Sequence, residues 1–481
     1  MNKNALKTSF IILALNLLSA CSTTTLNDLF QNYNQQMYEA KKALVQGDFQ
    51  QAINLIPTRK KSDGSYNLHL LEKARLAFLA NNNKQSQVDF TTAYEIIQQA
   101  EFAAKIEVSR GVENVTAMLS NDNAIRYDVP LYEQSMLHSY QALNYLAQQD
   151  LSGALVEVRR ANLVQEQALA ANKSSIDDYQ QKVTANSVDI SDVYHQFPLL
   201  NKAIGNLKNN FQNAYTFYLS ALLYEAVNQN NDAYIDYKKA LEIYPDNRYL
   251  QEDVWRLAQT LNRHEDIKLL KEILPPAITN ISSDTSTSKQ ENQGQMVFIV
   301  ENEVVASKQE IAINLPIFTR QYNMRFYSLA LPSYENNVTT SSSLTVNYQG
   351  NHYQSEEVVR IQALAAKQLK DDLPAILTRQ IARLIAKEKA REQLARSNGQ
   401  LGNIFSSLYN LATEKADTRS WSTLPDNIHI LRFNIPIGEQ QLMLNINGKN
   451  QAVDVRIRPN KITLVKVAVI GNNAQYQTYN L

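Results

Sequence analysis

The chain has 481 residues, with 47 basic and 47 acidic side chains and a formal net charge of zero. This length predicts two or three domains, and the balanced charge excludes a general attraction to nucleic acid. A hydrophobic fraction of 44% with only 12 glycines and 12 prolines indicates a globular, helix-rich protein. The single cysteine, Cys21, excludes an intrachain disulfide, a cysteine-rich zinc site and an iron–sulfur cluster.

The first 21 residues have the pattern of an export signal. Lys3 and Lys7 precede a short apolar run at 10–18, which is about half the ~20 residues that a membrane-spanning helix needs. The run ends in Leu18-Ser19-Ala20-Cys21, which resembles the lipobox of bacterial lipoproteins. The resemblance implies that residues 1–20 are a signal peptide and that Cys21 is lipidated. The alternative is an ordinary secretory signal with an incidental cysteine.

The lipobox also predicts where the protein resides. Several acyl chains on one residue give the stable anchoring that a single chain cannot give. By the same resemblance, Ser22 in place of an aspartate favours transfer to the outer membrane. We therefore expect a lipid-anchored protein of the bacterial outer membrane that faces the periplasm.

Residues 214–247 follow the tetratricopeptide (TPR) pattern of about 34 residues for each helix pair. Small residues stand where two helices would cross closely: Ala221, Ala233 and Ala240. Ser220 departs from the usual leucine. Weaker copies lie at 33–57, 67–100 and 135–166, for which a generic helical bundle is the alternative. We predict a TPR-like all-α solenoid over residues 21–276, with a concave face that binds peptides.

Residues 277–294 are rich in Ser and Thr, which predicts a polar linker with few contacts between two independent halves. Short β-prone runs follow, with hairpin signals at Gln349-Gly350-Asn351 and Asn447-Gly448. Two helices are expected at 358–369 and 374–396, with Pro374 in the first turn of the second. Residues 295–481 therefore form an α+β domain with an antiparallel sheet, and the whole chain is an α+β multidomain protein.

Several segments together resemble a family of bacterial TPR-containing outer-membrane lipoproteins. They are Asn121-Asp122-Asn123 with Tyr127, HSYQALNYLA at 138–147, GALVEVRRAN at 153–162, residues 300–315 and DTRSWSTLP at 417–425. The resemblance spans both halves of the chain and implies architecture and compartment more than activity. Proteins of this kind are suspected to act beside lipoprotein activators of cell-wall synthases. The partners that the resemblance implies are therefore envelope or cell-wall synthesis proteins.

No catalytic motif is found in the sequence. The six histidines occur singly, so neither a metal site nor another cofactor is expected. A nucleophile elbow and a phosphate-binding glycine loop are both missing. The neighbouring acids Asp371-Asp372 and Glu356-Glu357 would diverge on a helix, which favours surface or capping roles. We predict a non-enzymatic protein.

Three places are candidates for recognition. Arg159 and Arg160 follow Glu157 on a repeat helix, where they either form ion pairs within the repeat or hold an acidic peptide. The basic helix at 379–396 either contacts anionic polymers or lipids or presents a solvated face. Trp421 is either a buried packing anchor or part of an interface with a partner.

The predicted function is a lipid-anchored periplasmic scaffold that binds proteins through a TPR-like groove. The alternative is an enzyme that modifies or cleaves the cell wall, with its site in the C-terminal domain. A cleft lined by convergent carboxylates of that domain would favour the enzyme, and an open groove without such a cleft would favour the scaffold.

Overall fold

A computed structural model describes residues 32–109, 125–184, 198–205, 207–280, 292–318, 324–334, 343–398 and 415–481. Cys21, the signal peptide and residues 121–123 lie outside this part of the chain. Within it, no helix combines the length and the apolar character that a membrane crossing requires.

The described helical part consists of consecutive helices. They are α1 (Tyr33–Val45), α2 (Phe49–Leu55), α3 (Tyr66–Leu79), α4 (Asn83–Ser109), α5 (Leu131–Ala147), α6 (Leu151–Thr184), α7 (Pro198–Ile204), α8 (Ala214–Ala226), α9 (Asn230–Ile243), α10 (Arg248–Thr260), α11 (His264–Ile273) and α12 (Pro276–Thr279). The four predicted helix pairs are present as α1–α2, α3–α4, α5–α6 and α8–α9. A fifth pair, α10–α11, was not predicted as a repeat.

The turn inside each pair has one backbone form. One residue takes a positive φ in each turn: Gly47, Asn81, Gln149, Asn228 and Asn262. The amide of the following residue then donates to a carbonyl five residues earlier, as Asp150 does to Tyr145 at 2.9 Å. This is the Schellman ending of a helix, for which glycine and asparagine are favoured because they tolerate the left-handed conformation. The pairs therefore repeat in their backbone even where their sequences differ.

Close crossing of α8 and α9 follows from their small residues, since Ala221, Ala233 and Ala240 are fully buried. Ser220, which replaces the expected leucine, joins three helices. Its hydroxyl donates to Asp236 of α9 at 2.7 Å and accepts from Asn162 of α6 at 3.0 Å. The departure from the repeat pattern therefore exchanges an apolar contact for a buried hydrogen-bond network.

The C-terminal part combines strands with one long helix. Its elements are β1 (Gln293–Asn302), β2 (Lys308–Phe318), β3 (Met324–Tyr334), β4 (Thr345–Tyr348), β5 (Asn351–Gln354), β6 (Glu356–Arg360), α13 (Ile361–Asn398), β7 (Asn427–Pro436), β8 (Gly438–Ile446), β9 (Lys449–Ile457), β10 (Ile462–Ile470) and β11 (Asn473–Asn480).

Three sheets are formed by these strands. The central sheet has the order β11-β10-β1-β7-β6, a smaller sheet has the order β5-β4-β8-β9, and β2 pairs with β3. The pairs are antiparallel except that β1 and β10 run parallel in the centre. The antiparallel sheet is confirmed, whereas the parallel pair was not predicted because its two strands are far apart in the chain.

Both predicted hairpins are present. Gln349 and Gly350 connect β4 to β5, and Asn447 and Gly448 connect β8 to β9, all with positive φ as a two-residue primed turn requires. The prediction of two helices around Pro374 is wrong, because α13 continues through that residue. Its buried stripe of Leu369, Leu373 and Leu377 runs past the proline and holds the helix against its neighbours.

The predicted linker is shorter than residues 277–294. Helix α12 occupies its beginning and β1 its end, while residues 281–291 lie outside the described part of the chain. Buried residues of both halves belong to one continuous hydrophobic core. Independent folding of the two halves stays a prediction.

Candidate interaction surfaces

The helix pairs have two different faces. We call the first helix of each pair (α1, α3, α5, α8 and α10) an inner helix and the second (α2, α4, α6, α9 and α11) an outer helix. Every inner helix bonds directly to the C-terminal part, from Lys41 of α1, Glu72 of α3, Tyr140 of α5, Glu225 of α8 and Asp253 of α10. The inner face, which was predicted to be an open groove, is therefore covered by the chain itself.

Residues 417–424, here called the docked segment, occupy part of that inner face. The backbone amides of Ser422 and Thr423 donate to the carboxylate of Glu72 at 2.7 and 3.0 Å. The amide of Trp421 donates to Glu133 at 3.0 Å. Two acidic side chains of α3 and α5 thus hold an irregular segment by its backbone, as a receptor would hold a peptide.

Trp421 is only 1% exposed. Its ring lies 5.7 Å from that of Phe90 and 6.0 Å from that of Tyr140, measured between centroids. Of the two alternatives, the structure supports the buried packing anchor. The interface that Trp421 serves lies between two parts of the same chain, so a partner role for this side chain is not supported.

The acids that hold the docked segment are electrostatically unusual. Burial raises the pKa of Glu133 to about 7, although hydrogen bonds from the Trp421 amide and from the hydroxyls of Tyr127 and Tyr132 partly offset it. Burial likewise raises the pKa of Glu72. A carboxylate in this setting depends on its hydrogen-bond donors, and the docked segment provides several of them.

A buried charge cluster joins α3 to the central sheet. Glu301 of β1 forms ion pairs with Arg75 and, at 2.8 Å, with Lys466 of β10. It also accepts a hydrogen bond from Tyr140 at 2.9 Å. Burial lowers the pKa of Lys466 to about 7, even though Glu301 opposes this shift. One carboxylate therefore compensates two cations, so the join between the halves depends on it.

Arg159 and Arg160 lie on the outer helix α6. Arg160 pairs with Glu157 at 2.7 Å, which is the ion pair within the repeat that was one of the two alternatives. Arg159 donates to the hydroxyl of Tyr224 at 3.2 Å. Both remain at the surface, and capture of an acidic peptide stays a prediction.

Exposed apolar side chains accompany these arginines. Val156 and Leu163 of α6 are 44% and 50% exposed, and Ile235 of α9 is 49% exposed. An ion pair of 2.9 Å between Glu166 and Lys239 joins the two helices about one turn further on. We call Val156, Arg159, Arg160, Leu163 and Ile235 the outer patch.

A cleft lined by convergent carboxylates of the C-terminal domain was the feature expected if the protein were an enzyme. A cleft does lie between α8, α10 and the central sheet, but the acidic side chains that line it, Glu225, Glu252 and Asp253, belong to the helical part. In the C-terminal part, Oγ of Ser355 lies 3.4 Å from Nδ1 of His429, but both residues are buried and do not line this cleft. The described residues include no group of three or more potential metal ligands.

The basic helix at 379–396 forms part of α13. Arg383 is buried and Arg379 is half-buried, so these two residues do not belong to a solvated basic face. The side chains of 387–396 lie outside the residues whose burial the structure describes.

Sequence reasoning missed Glu72 and Glu133. A signal was available, because Glu72 and Arg75 stand in a helix whose apolar residues are distributed around its whole circumference, and such helices are buried. Charged residues inside them need a buried partner. The identity of that partner depends on contacts across more than 200 residues of chain.

No family model and no curated protein matches the chain. Among solved structures, the TPR2AB-domain:pHSP90-complex of yeast Sti1 matches with 11% sequence identity and a TM-score of 0.18. The match covers 50% of this chain and 87% of the other. At this TM-score the similarity carries no conclusion about this protein.

Proposed function

We propose that the protein is a lipid-anchored scaffold of the bacterial outer membrane that faces the periplasm and binds envelope proteins through the outer patch. The observation that carries this proposal is the contrast between the two faces of the helix pairs. The inner face is filled by the chain's own residues, whereas the outer patch presents apolar side chains to solvent beside two arginines. Such a combination suits a partner segment with apolar and acidic residues.

The anchoring part of the proposal rests on the lipobox at 18–21. Lipid on Cys21 would hold the folded body at the membrane, with the outer patch free to contact other proteins. Because the resembled family is suspected to act beside activators of cell-wall synthases, proteins of cell-wall assembly are the partners to test first. A wall-modifying enzyme is less well supported, since Glu225 and Asp253 of the cleft are held in ion pairs with arginines.

The test is cross-linking in intact cells followed by purification of the protein from the envelope fraction. We expect wall-assembly proteins to be recovered with the natural protein and to be lost with Leu163→Asp or Arg160→Glu. Met443→Asp is the matched control, because Met443 is an exposed apolar residue on β8, away from the helix pairs. Circular dichroism should be the same for all of these variants.

Cys21→Ser tests the anchor in the same experiment. Serine cannot form the thioether, so the variant should appear in the soluble fraction. Retention of the variant in salt-washed membranes would contradict the anchor. Full recovery of partners by Leu163→Asp and Arg160→Glu would contradict the role of the outer patch.

A further inference from the structure

Among the described residues, one strand at the edge of the two larger sheets is left uncovered. The central sheet ends in β11 and β6, and the smaller sheet ends in β5 and β9. An edge strand presents unpaired backbone amides and carbonyls, and folded proteins generally shorten, cover or distort such strands. The outer patch lies on α6 and α9, so the proposed scaffold function does not account for an open sheet edge.

Three of these four edge strands are protected. β5 has only four residues. β6 has an irregular register with β7, and its Glu357 carbonyl accepts from the side-chain amide of Asn247 at 2.9 Å. In β11, the side-chain amide of Asn473 donates to the carbonyl of Val45 at 2.9 Å. Short length or contact with the helical part therefore closes these three edges to a further strand.

β9 has none of these protections. It has nine residues, contains no proline, and pairs with β8 without a bulge over its whole length. Because Asn447 and Gly448 form a two-residue turn, Lys449 exchanges both of its backbone hydrogen bonds with Ile446, and every second residue after it also bonds to β8. The backbones of the residues between them point away from the sheet: Asn450, Ala452, Asp454 and Arg456. No described group donates to or accepts from these four backbones.

The side chains of β9 alternate between two environments. Val453, Val455 and Ile457 are buried, whereas the four residues with outward-pointing backbones have exposed side chains. This exposed row carries opposite charges two residues apart, at Asp454 and Arg456. A strand added to the edge would therefore place alternate side chains opposite a carboxylate and a guanidinium.

A second copy of this strand does not suit these charges. Antiparallel pairing places Asp454 opposite Arg456 of the other copy only in the register in which Val455 lies opposite itself. Lys449 of the other copy would then lie opposite Lys461, beyond the end of β9. At that point β1 enters between β7 and β10, so the chain steps outward from β9 into β10. The hairpin of a second copy would meet this step, whereas a single extended segment can end before it.

We propose that β9 binds an extended segment of another protein as an added antiparallel strand. The four outward-pointing backbones exchange hydrogen bonds with the segment. Arg456 and Asp454 select an acidic residue followed two positions later by a basic one. In this mode of recognition, main-chain hydrogen bonds provide the affinity and alternate side chains provide the specificity.

The test is fluorescence anisotropy of two labelled heptapeptides with the purified full chain in detergent. Paired antiparallel with residues 450–456, the peptide EVKVTVT has its glutamate opposite Arg456 and its lysine opposite Asp454. The peptide KVEVTVT has the same composition with the two charges exchanged. We expect saturable binding of EVKVTVT with one site per chain. Binding of KVEVTVT should be about tenfold weaker, because like charges then face each other.

Two further variants test the edge itself. Ala452→Pro removes one outward-pointing amide, and an edge strand tolerates proline where its amide faces solvent. Binding of EVKVTVT should weaken about tenfold, the equivalent of one lost hydrogen bond. Ala452→Thr is the matched control, because it changes the same exposed side chain but keeps the amide, and its affinity should equal that of the natural chain. The double variant Asp454→Lys with Arg456→Glu should reverse the preference between the two peptides, and this result does not depend on the proline variant.

An absence of saturable binding of EVKVTVT overturns the proposal, as does an equal affinity for both peptides in the natural chain and in the double variant. Full affinity of folded Ala452→Pro also overturns it. Light scattering tests the other occupant, since a dimer that Ala452→Pro converts to a monomer would mean that a second copy covers β9 and that the proposal is wrong. Each of these results leaves the scaffold proposal standing, because that proposal depends on the outer patch.

Discussion

The inner and outer helices share one repeat and one turn geometry, yet their surroundings are opposite. Inner helices such as α3 and α5 are buried around nearly their whole circumference, with charged residues that find partners in the C-terminal part. Outer helices such as α6 and α9 bury one side and expose apolar residues on the other. The sequence pattern of a helix pair therefore does not show by itself which of its faces is available to a partner. That depends on which other part of the chain covers the inner face.

This difference also separates two kinds of acidic residue. Glu72 and Glu133 of the covered face, and Glu301 of the sheet that covers it, each have at least one partner from a distant part of the chain. An acid at the surface, such as Glu439 on β8, forms an ion pair of 3.5 Å with an exposed arginine, Arg456. We expect the buried acids to stabilise the packing of the two halves against each other, and the surface acid to contribute little to the stability of the protein.

The largest effect should come from Glu301→Gln. This change leaves Arg75 and Lys466 without their shared carboxylate, and the expected loss is about 3–5 kcal/mol in the free energy of unfolding. Glu439→Gln is the control, because its pair with Arg456 has both side chains about three-quarters exposed, with relative exposures of 74% and 76%. The control should change stability by less than about 0.5 kcal/mol. Denaturant unfolding measures the stability of both variants. Equal losses in the free energy of unfolding would contradict the distinction between the two kinds of acidic residue.

Two leucines allow the inner and outer helices to be compared without a change of charge. Leu143 of α5 is fully buried, whereas Leu163 of α6 is half exposed. Leu143→Ala should cost about 2–5 kcal/mol because it opens a cavity, and Leu163→Ala should stay within about 0.5 kcal/mol. Thermal unfolding of the two variants is the measurement. A large loss with Leu163→Ala would mean that the outer face is structurally committed and is not a free surface.

The smallest effect is a pH dependence at Glu133. Because its pKa rises from 4.5 to about 7 on folding, the folded protein binds more protons than the unfolded chain between these values. The free energy of unfolding therefore falls as the pH rises through this range, by up to about 3 kcal/mol. Glu133→Gln removes this contribution, so the difference between the variant and the natural protein should change between pH 4.5 and 7 and stay constant above. A constant difference throughout would mean that Glu133 keeps its ordinary pKa.

Local signals were sufficient for much of the fold. Small and aromatic residues at helical spacing predicted four helix pairs, and Asn-Gly predicted the β8–β9 hairpin, because both depend on residues close together in the chain. Pro374 misled the prediction, since a proline ends an isolated helix more readily than one that is packed along a continuous apolar stripe. For the candidate recognition residues the sequence left two alternatives each. The structure has the ion pair of Arg160 within the repeat and the buried packing of Trp421, whereas binding of a partner by Arg159 and Arg160 stays a prediction.

By itself, the sequence determined the helix pairs, their turns and the hairpins, because each of these depends on a short stretch of chain. Only the tertiary structure decided that β1 pairs with β10, that residues 417–424 dock on Glu72 and Glu133, and that the inner face is closed. These contacts join residues hundreds of positions apart. Their partners are selected by burial and charge compensation across the whole fold, and a local pattern carries no record of that selection.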